Sequence, residues 1–158
     1  MKTYAYAALE QGSTLVPYTL ERRELRHDDV NIEILYSGVC HSDLHMAKND
    51  WGRTVFPLVP GHEIVGKVIA IGKDVNKFKI GDHVAVGTFV DSCMHCDQCH
   101  KGEEHMCREI LTETYNGQDR MTGENTAGGY AKHIVVKEHF VLHVPDRLDL
   151  SRVAPLLC

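Results

Sequence analysis

The sequence contains no long apolar run, no basic cluster and no repeated unit, and each absence removes a class of protein. Nothing approaches the roughly 20 apolar residues that a membrane-crossing helix requires. The opening MKTYAYAALEQGSTL also has no basic-then-apolar signal pattern. A cytoplasmic protein with no membrane partner is expected. Lys and Arg number 17 against 22 Asp and Glu, a formal net charge of −5, and the cations are scattered along the chain. Nucleic acid is therefore not expected as a partner. No two glycines are separated by a single residue, so the G-x-G-x-x-G dinucleotide fingerprint is absent.

The sequence does have short alternating apolar segments. With 158 residues, one domain is expected, large enough to hide roughly 68–70% of its unfolded surface. The alternation predicts a mainly β domain with strands at Thr3–Ala8, Tyr18–Glu24, Val30–Ser37, Ile64–Ile71, His83–Thr88, Tyr130–Val136 and Val141–Val144. A short helix is predicted over Ser42–Lys48. A second is predicted from Ser151, read as its N-cap, through Leu157. The sequence stops inside that second helix on Pro-Leu-Leu-Cys, so the domain is expected to occupy 1–148 and residues 149–158 to lead into a further domain.

Six cysteines occur without an export signal in a chain too large to need disulfide staples, which favours metal binding or catalysis. Four of them, Cys93, Cys96, Cys99 and Cys107, fall in DSCMHCDQCHKGEEHMC, within a lobe at 91–108. Their C-x2-C-x2-C-x7-C spacing lets four thiolates meet around one Zn2+ at about 2.3 Å, a closed shell with a structural role. An iron–sulfur run of the bacterial ferredoxin kind would bring its fourth cysteine after three residues and follow it with proline. Cys40 in GVCHSDLH, His62 in PGHEIVG and Cys158 in APLLC stand apart from that lobe and from one another. Taken singly, each reads as well as an ordinary buried side chain. Gly61 and Gly66 bracket His62, which suggests a tight turn and a close strand approach there.

GVCHSDLH, PGHEIVGKV, KIGDHVAVG, the four-cysteine lobe, GGYAKHIVV and VAPLLC together resemble the zinc-dependent medium-chain alcohol dehydrogenases. The similarity covers essentially the whole chain and is strongest to the cinnamyl alcohol dehydrogenase branch. It implies a GroES-like β-barrel domain with two zinc ions, followed in the family by a Rossmann domain. By this resemblance Cys40, His62 and Cys158 hold a catalytic zinc with one position open, and Cys93, Cys96, Cys99 and Cys107 hold the structural zinc. Glu63 would approach the metal transiently, and Asp43 would lie behind the histidine ligand. Ser42 and His45 would pass the alcohol proton outward. His41 would touch the cofactor pyrophosphate, and Trp51 and Thr88 would line the substrate pocket.

The resemblance further implies a small alcohol or aldehyde as substrate, with NADP(H) held mainly by the domain beyond Cys158. It also implies a homodimer joined through that domain, and no turnover by this chain alone. Two alternatives stand beside this reading. One is a polyol dehydrogenase of the sorbitol type, which often takes a glutamate as metal ligand and lacks the second zinc. The other is a zinc-stapled GroES-like module without catalysis.

Overall fold

The computed structural model describes residues 1–158, and the short alternating segments fold into nine strands with only two α-helices. β1 (Lys2–Ala7) and β2 (Val16–Glu21) form an antiparallel pair, with Thr3, Ala5 and Ala7 on the buried face. β2 begins and ends earlier than the Tyr18–Glu24 predicted from sequence. Glu21 already pairs with Lys2, so the partner strand has run out. Arg22 then turns inward and donates to the carbonyls of Ala127, Gly128 and His133.

β3 (Asp29–Ser37), β4 (Ile64–Ile71) and β5 (His83–Val86) follow, and β4 matches its predicted bounds. β6 (Phe89–Asp91) and β7 (Thr112–Glu113) pair at the base of the cysteine lobe. Neither was expected, because two or three residues are too few to show a period. β8 (His133–Lys137) and β9 (Leu142–His143) complete an antiparallel sheet in the order β8-β3-β4-β5-β9. β8 starts later than the predicted Tyr130. Residues 128–130 instead form a strap whose amides donate to the carbonyls of Val59, Gly61 and Pro60.

Alternation along the sheet divides its side chains between two cores. Ile64, Val68, Val84 and Val86 join Val30, Ile32, Ile34, Ile134 and Val136 in the larger one. Val65 and Ala85 face the other way and pack on Val144, Val153 and Ala154. Burying a side chain of this kind contributes about 1.5–3 kcal/mol, so the second core is enough to fix the C-terminal segment beneath β4 and β5. That segment is α2 (Leu150–Val153) followed by a 3-10 turn, Ala154–Leu157. Its cap is Asp149, whose carboxylate accepts from the Ser151 amide. Ser151 was read as the cap, but it lies inside the helix because the extended backbone comes two residues earlier.

α1 (His41–Lys48) begins where a capping box closes. Cys40 is the cap, the Ser42 amide donates to its sulfur, and the Cys40 amide donates to the Asp43 carboxylate at 2.9 Å. Met46, on the inward face of α1, packs with Ala8, Leu58 and Tyr115 and fixes the helix against the body.

Candidate metal centres

Cys40 sits at the start of α1, His62 just before β4, and Cys158 at the end of the turn held by the second core. The fold brings these distant positions together. The sulfurs of Cys40 and Cys158, 118 residues apart, lie 3.4 Å from each other. Donor atoms of Cys40, His62, Glu63 and Cys158 all lie within 4.8 Å of one another. His62 is 5% exposed, and its Nε2 is a buried polar atom with no partner in the protein. A buried ring nitrogen left unpaired costs about 1–3 kcal/mol. Facing two sulfurs, it has the environment of a metal ligand. Two thiolates and an imidazole beside an open space match the donor set of a catalytic zinc, so the residues fit that ion. The two thiols share one hydrogen bond unequally. Cys40 is held below the usual thiol range, first by the Ser42 hydroxyl, while the bond to Cys40 and burial raise Cys158.

Asp43 organises this site from behind. It is 4% exposed. Its Oδ1 accepts from the Gly61 amide at 2.9 Å and lies 3.6 Å from His62 Nδ1, while its Oδ2 accepts from the Cys40 amide. Tyr130 Oη donates towards Oδ2 at 3.2 Å, with the Gly38 carbonyl as its other acceptor at 3.3 Å. A carboxylate beside Nδ1 repels a lone pair, so the ring carries its proton there and leaves Nε2 as the acceptor and ligand nitrogen. Tyr115 stacks on the His62 ring at 5.6 Å and 19°. Burial and then the Asp43 charge raise the phenol pKa of both Tyr115 and Tyr130, so both stay protonated.

Gly61 makes the turn possible, with φ of 101°, and a Cβ there would lie 2.7 Å from Tyr130 Cδ1 and 2.9 Å from its backbone nitrogen. A Cβ at Gly66 would meet the Glu33 carbonyl oxygen at 2.4 Å, so the close strand approach read from these two glycines is present.

The four lobe cysteines form the second cluster, with all sulfurs within 4.8 Å of one another. Amides of Cys93, Cys96 and Arg108 point at the sulfurs of Cys107, Cys93 and Cys96 at 3.3–3.5 Å. The Arg108 and Cys99 amides lower Cys96 to about 6, while burial pushes Cys93 up to about 11. Four thiols this crowded cannot all ionise without a cation among them, and the cluster is one that zinc would fit. His95 adds a third potential set with Cys93 and Glu109, but it is exposed and pairs with Glu109 at 2.8 Å.

A cavity of 210 Å³ opens beside the first cluster, lined by Ser42, His62, Cys158, Trp51 and Thr88 among others. Ser42 Oγ lies 3.4 Å from Cys40 Sγ. His45 is absent from the lining; its Nδ1 lies 2.8 Å from Asp50 Oδ2 and its ring 5.3 Å from that of Trp51. His41 is exposed on the first turn of α1, with its ring 5.1 Å from that of His45. Met46, Arg53, Glu113, Thr114 and Tyr115 complete the cavity wall, and none of them was predicted. Arg53 and Glu113 form a two-pronged ion pair at its rim. These residues lie in segments without a motif, and only their spatial convergence reveals them.

A closed four-sulfur cluster and an open sulfur–imidazole cluster on one antiparallel scaffold define a β domain with two sets of candidate metal ligands, one of them beside a cavity. Residues 26–146 match the alcohol dehydrogenase GroES-like domain family, and the chain belongs to that family. It is 52% identical over 153 residues to a probable cinnamyl alcohol dehydrogenase of Oryza sativa subsp. japonica, covering 97% of this chain and 35% of the relative. To a probable mannitol dehydrogenase of Medicago sativa it is 48% identical over 158 residues, covering 100% and 43%. The crystal structure of a cinnamyl alcohol dehydrogenase from Helicobacter pylori complexed with NADP(H) superposes with a TM-score of 0.96 at 40% identity. That match covers 100% of this chain and 46% of the other. The chain thus spans less than half the length of these relatives. The resemblance to cinnamyl alcohol dehydrogenases and the mainly β, GroES-like fold expected from the motifs are both borne out.

Proposed function

We infer that this chain is the catalytic zinc-binding part of an NADP(H)-dependent alcohol dehydrogenase or aldehyde reductase acting on small primary alcohols or aldehydes. The observation that carries this reading is the unpartnered, buried Nε2 of His62, on a ring with a donor nitrogen within 4.8 Å of two sulfurs beside an open cavity. Cys40, His62 and Cys158 would hold one zinc and the four lobe cysteines another. When bound, the first ion supplies Lewis-acid polarisation of an alcohol or carbonyl oxygen, and a nicotinamide supplies or takes the hydride.

The chain's own residues do the rest. Ser42 presents its hydroxyl to the cavity next to Cys40, where it can take the alcohol proton or return it to the product. His45, one turn along α1 and anchored by Asp50, is the next group towards solvent. Trp51, Met46 and Tyr115 offer the substrate apolar walls, with Thr88 and Thr114 as polar points. A carboxylate oxygen of Glu63 lies within 4.8 Å of the donor atoms of Cys40, His62 and Cys158, so Glu63 would be within reach of an ion held there. His41, exposed at the start of α1, is free to meet a cofactor phosphate supplied with the parent enzyme's nucleotide-binding part. That part would also carry the homodimer contacts.

Metal content of the purified chain tests this reading. Wild type should carry two zinc equivalents and Cys40→Ser one; equal content in both would sink it. A polyol substrate is the second reading, favoured by the name of the Medicago sativa relative. Relative kcat/KM of the parent enzyme for mannitol and for cinnamyl alcohol separates the two. A non-catalytic module would show metal but no turnover with any of these.

A further inference from the structure

Tyr130 falls outside the ligand set and the proton route, yet its hydroxyl reaches the carboxylate that faces His62 Nδ1. It stands in the strap at 128–130, where the amides of Gly128, Gly129 and Tyr130 donate to Val59, Gly61 and Pro60 at 2.7–3.0 Å. Arg22 grips the same strap from the far side through the carbonyls of Ala127 and Gly128. The Tyr6 amide adds a bond to the Tyr130 carbonyl at 2.8 Å. The Tyr130 ring lies against Gly61, the residue before His62, and its hydroxyl sits between Asp43 Oδ2 and the Gly38 carbonyl. The backbone of Tyr130 is therefore held by bonds to three segments, and its hydroxyl lies between a carboxylate and a backbone carbonyl.

We propose that Tyr130 is a positioning residue for the His62 imidazole: its hydroxyl holds the Asp43 carboxylate in the rotamer that keeps Nε2 of the ring turned towards Cys40 and Cys158. Asp43 has only two oxygens. The Gly61 amide donates to Oδ1 and the Cys40 amide to Oδ2, one backbone donor on each. The Tyr130 hydroxyl is a second donor to Oδ2 and the side-chain donor that reaches it from the strap. Without it Oδ2 keeps a single donor, and the carboxylate is less restrained about its terminal torsion, a broad and soft coordinate. The proton on His62 Nδ1 then loses a fixed neighbour. Partners that orient a histidine ligand in this way are worth 10–100-fold in metal affinity, and one bond further out the expected loss is about tenfold.

Tyr130→Phe removes the hydroxyl and keeps the ring against Gly61. Two readouts distinguish positioning from packing. In the metal-free chain, long-range proton–nitrogen NMR correlations should show His62 protonated on Nδ1 alone in wild type and as a mixture of tautomers in the variant. In the chain with zinc already in the four-cysteine lobe, Co2+ should bind the second centre about tenfold more weakly in the variant, with displaced d–d bands. Lobe zinc and melting behaviour should match wild type. The metal readout rests on the proposed function, whereas the tautomer readout does not. Wild type that takes up no second metal would refute the metal-centre reading. Identical His62 correlations in the two proteins would overturn the assignment of Tyr130 in either case.

Discussion

Replacing Asp43 by Asn exchanges one acceptor oxygen for a donor NH2 in a place where every neighbour donates. On the Oδ1 side the amide would oppose the Gly61 amide and the His62 Nδ1 proton; on the Oδ2 side it would oppose the Cys40 amide and Tyr130. The tyrosine hydroxyl can turn its proton to the Gly38 carbonyl and accept instead, so the second orientation is the cheaper. It still breaks the capping box at Cys40. One buried hydrogen bond to a charged acceptor is worth about 1.5–3 kcal/mol, and the lost charge in the first turn of α1 adds about 0.3–1 kcal/mol. Asp43→Asn should therefore destabilise the zinc-free chain by about 2–4 kcal/mol in urea unfolding. The same change weakens the hold on the His62 ring, so metal affinity at the open centre should fall 10–100-fold while the lobe is unaffected. Competition with a colorimetric chelator measures both sites. A variant within about 0.5 kcal/mol of wild type, the usual range for an inert surface change, would refute the claim that Asp43 organises the site.

Other outcomes follow from the same geometry. Gly61→Ala forces a side chain into positive φ against the Tyr130 backbone and should cost at least about 1–3 kcal/mol, read from the urea midpoint; an unchanged midpoint would contradict it. Zinc release to a chelator should be biphasic, with the open centre emptying first and the lobe slowly, so a single phase for two equivalents would count against two distinct sites. Burial opposes the charge on Asp119, but bonds from Arg26 and the amides of Thr122 and Met121 outweigh it and hold its pKa below the usual carboxylate range. Its folded value lies below its unfolded value near 3.9, so its stabilisation is complete above about pH 5 and lost as pH falls through the depressed value. The stability gap between wild type and Asp119→Asn, on the order of 2 kcal/mol at neutral pH, should shrink as pH falls below about 4. A gap independent of pH would be the contrary result.

The parts legible in the sequence were those whose signal is local. Ile64–Ile71 alternates over a full strand, and the lobe cysteines lie within 15 residues, so both period and spacing could be read directly. Cys40, His62 and Cys158 were legible only through family motifs, since nothing in their separation along the chain indicates a 3.4 Å contact. β6 and β7 are too short to alternate, and Tyr115 and Tyr130 serve the site through contacts that depend on where the loops return. Tyr130 looked like the first residue of a strand because it precedes an alternating run. The twin glycines before it, which fit only beneath Pro60, Gly61 and Ile64, make it a strap instead.

The separation of Cys40 from Cys158 also imposes an order of assembly during synthesis. As the polypeptide leaves the ribosome, all four sulfurs of the lobe are available once residue 107 has emerged, while the remainder is still being made. The other pair of sulfurs is completed only after the sheet's last strands exist to carry Cys158 back to Cys40. Tying off a ring of 118 residues costs roughly 4 kcal/mol of chain entropy. Only a chain whose strands have paired in register carries Cys158 back to Cys40, so this pair of sulfurs meets after the body of the domain has formed and not before it.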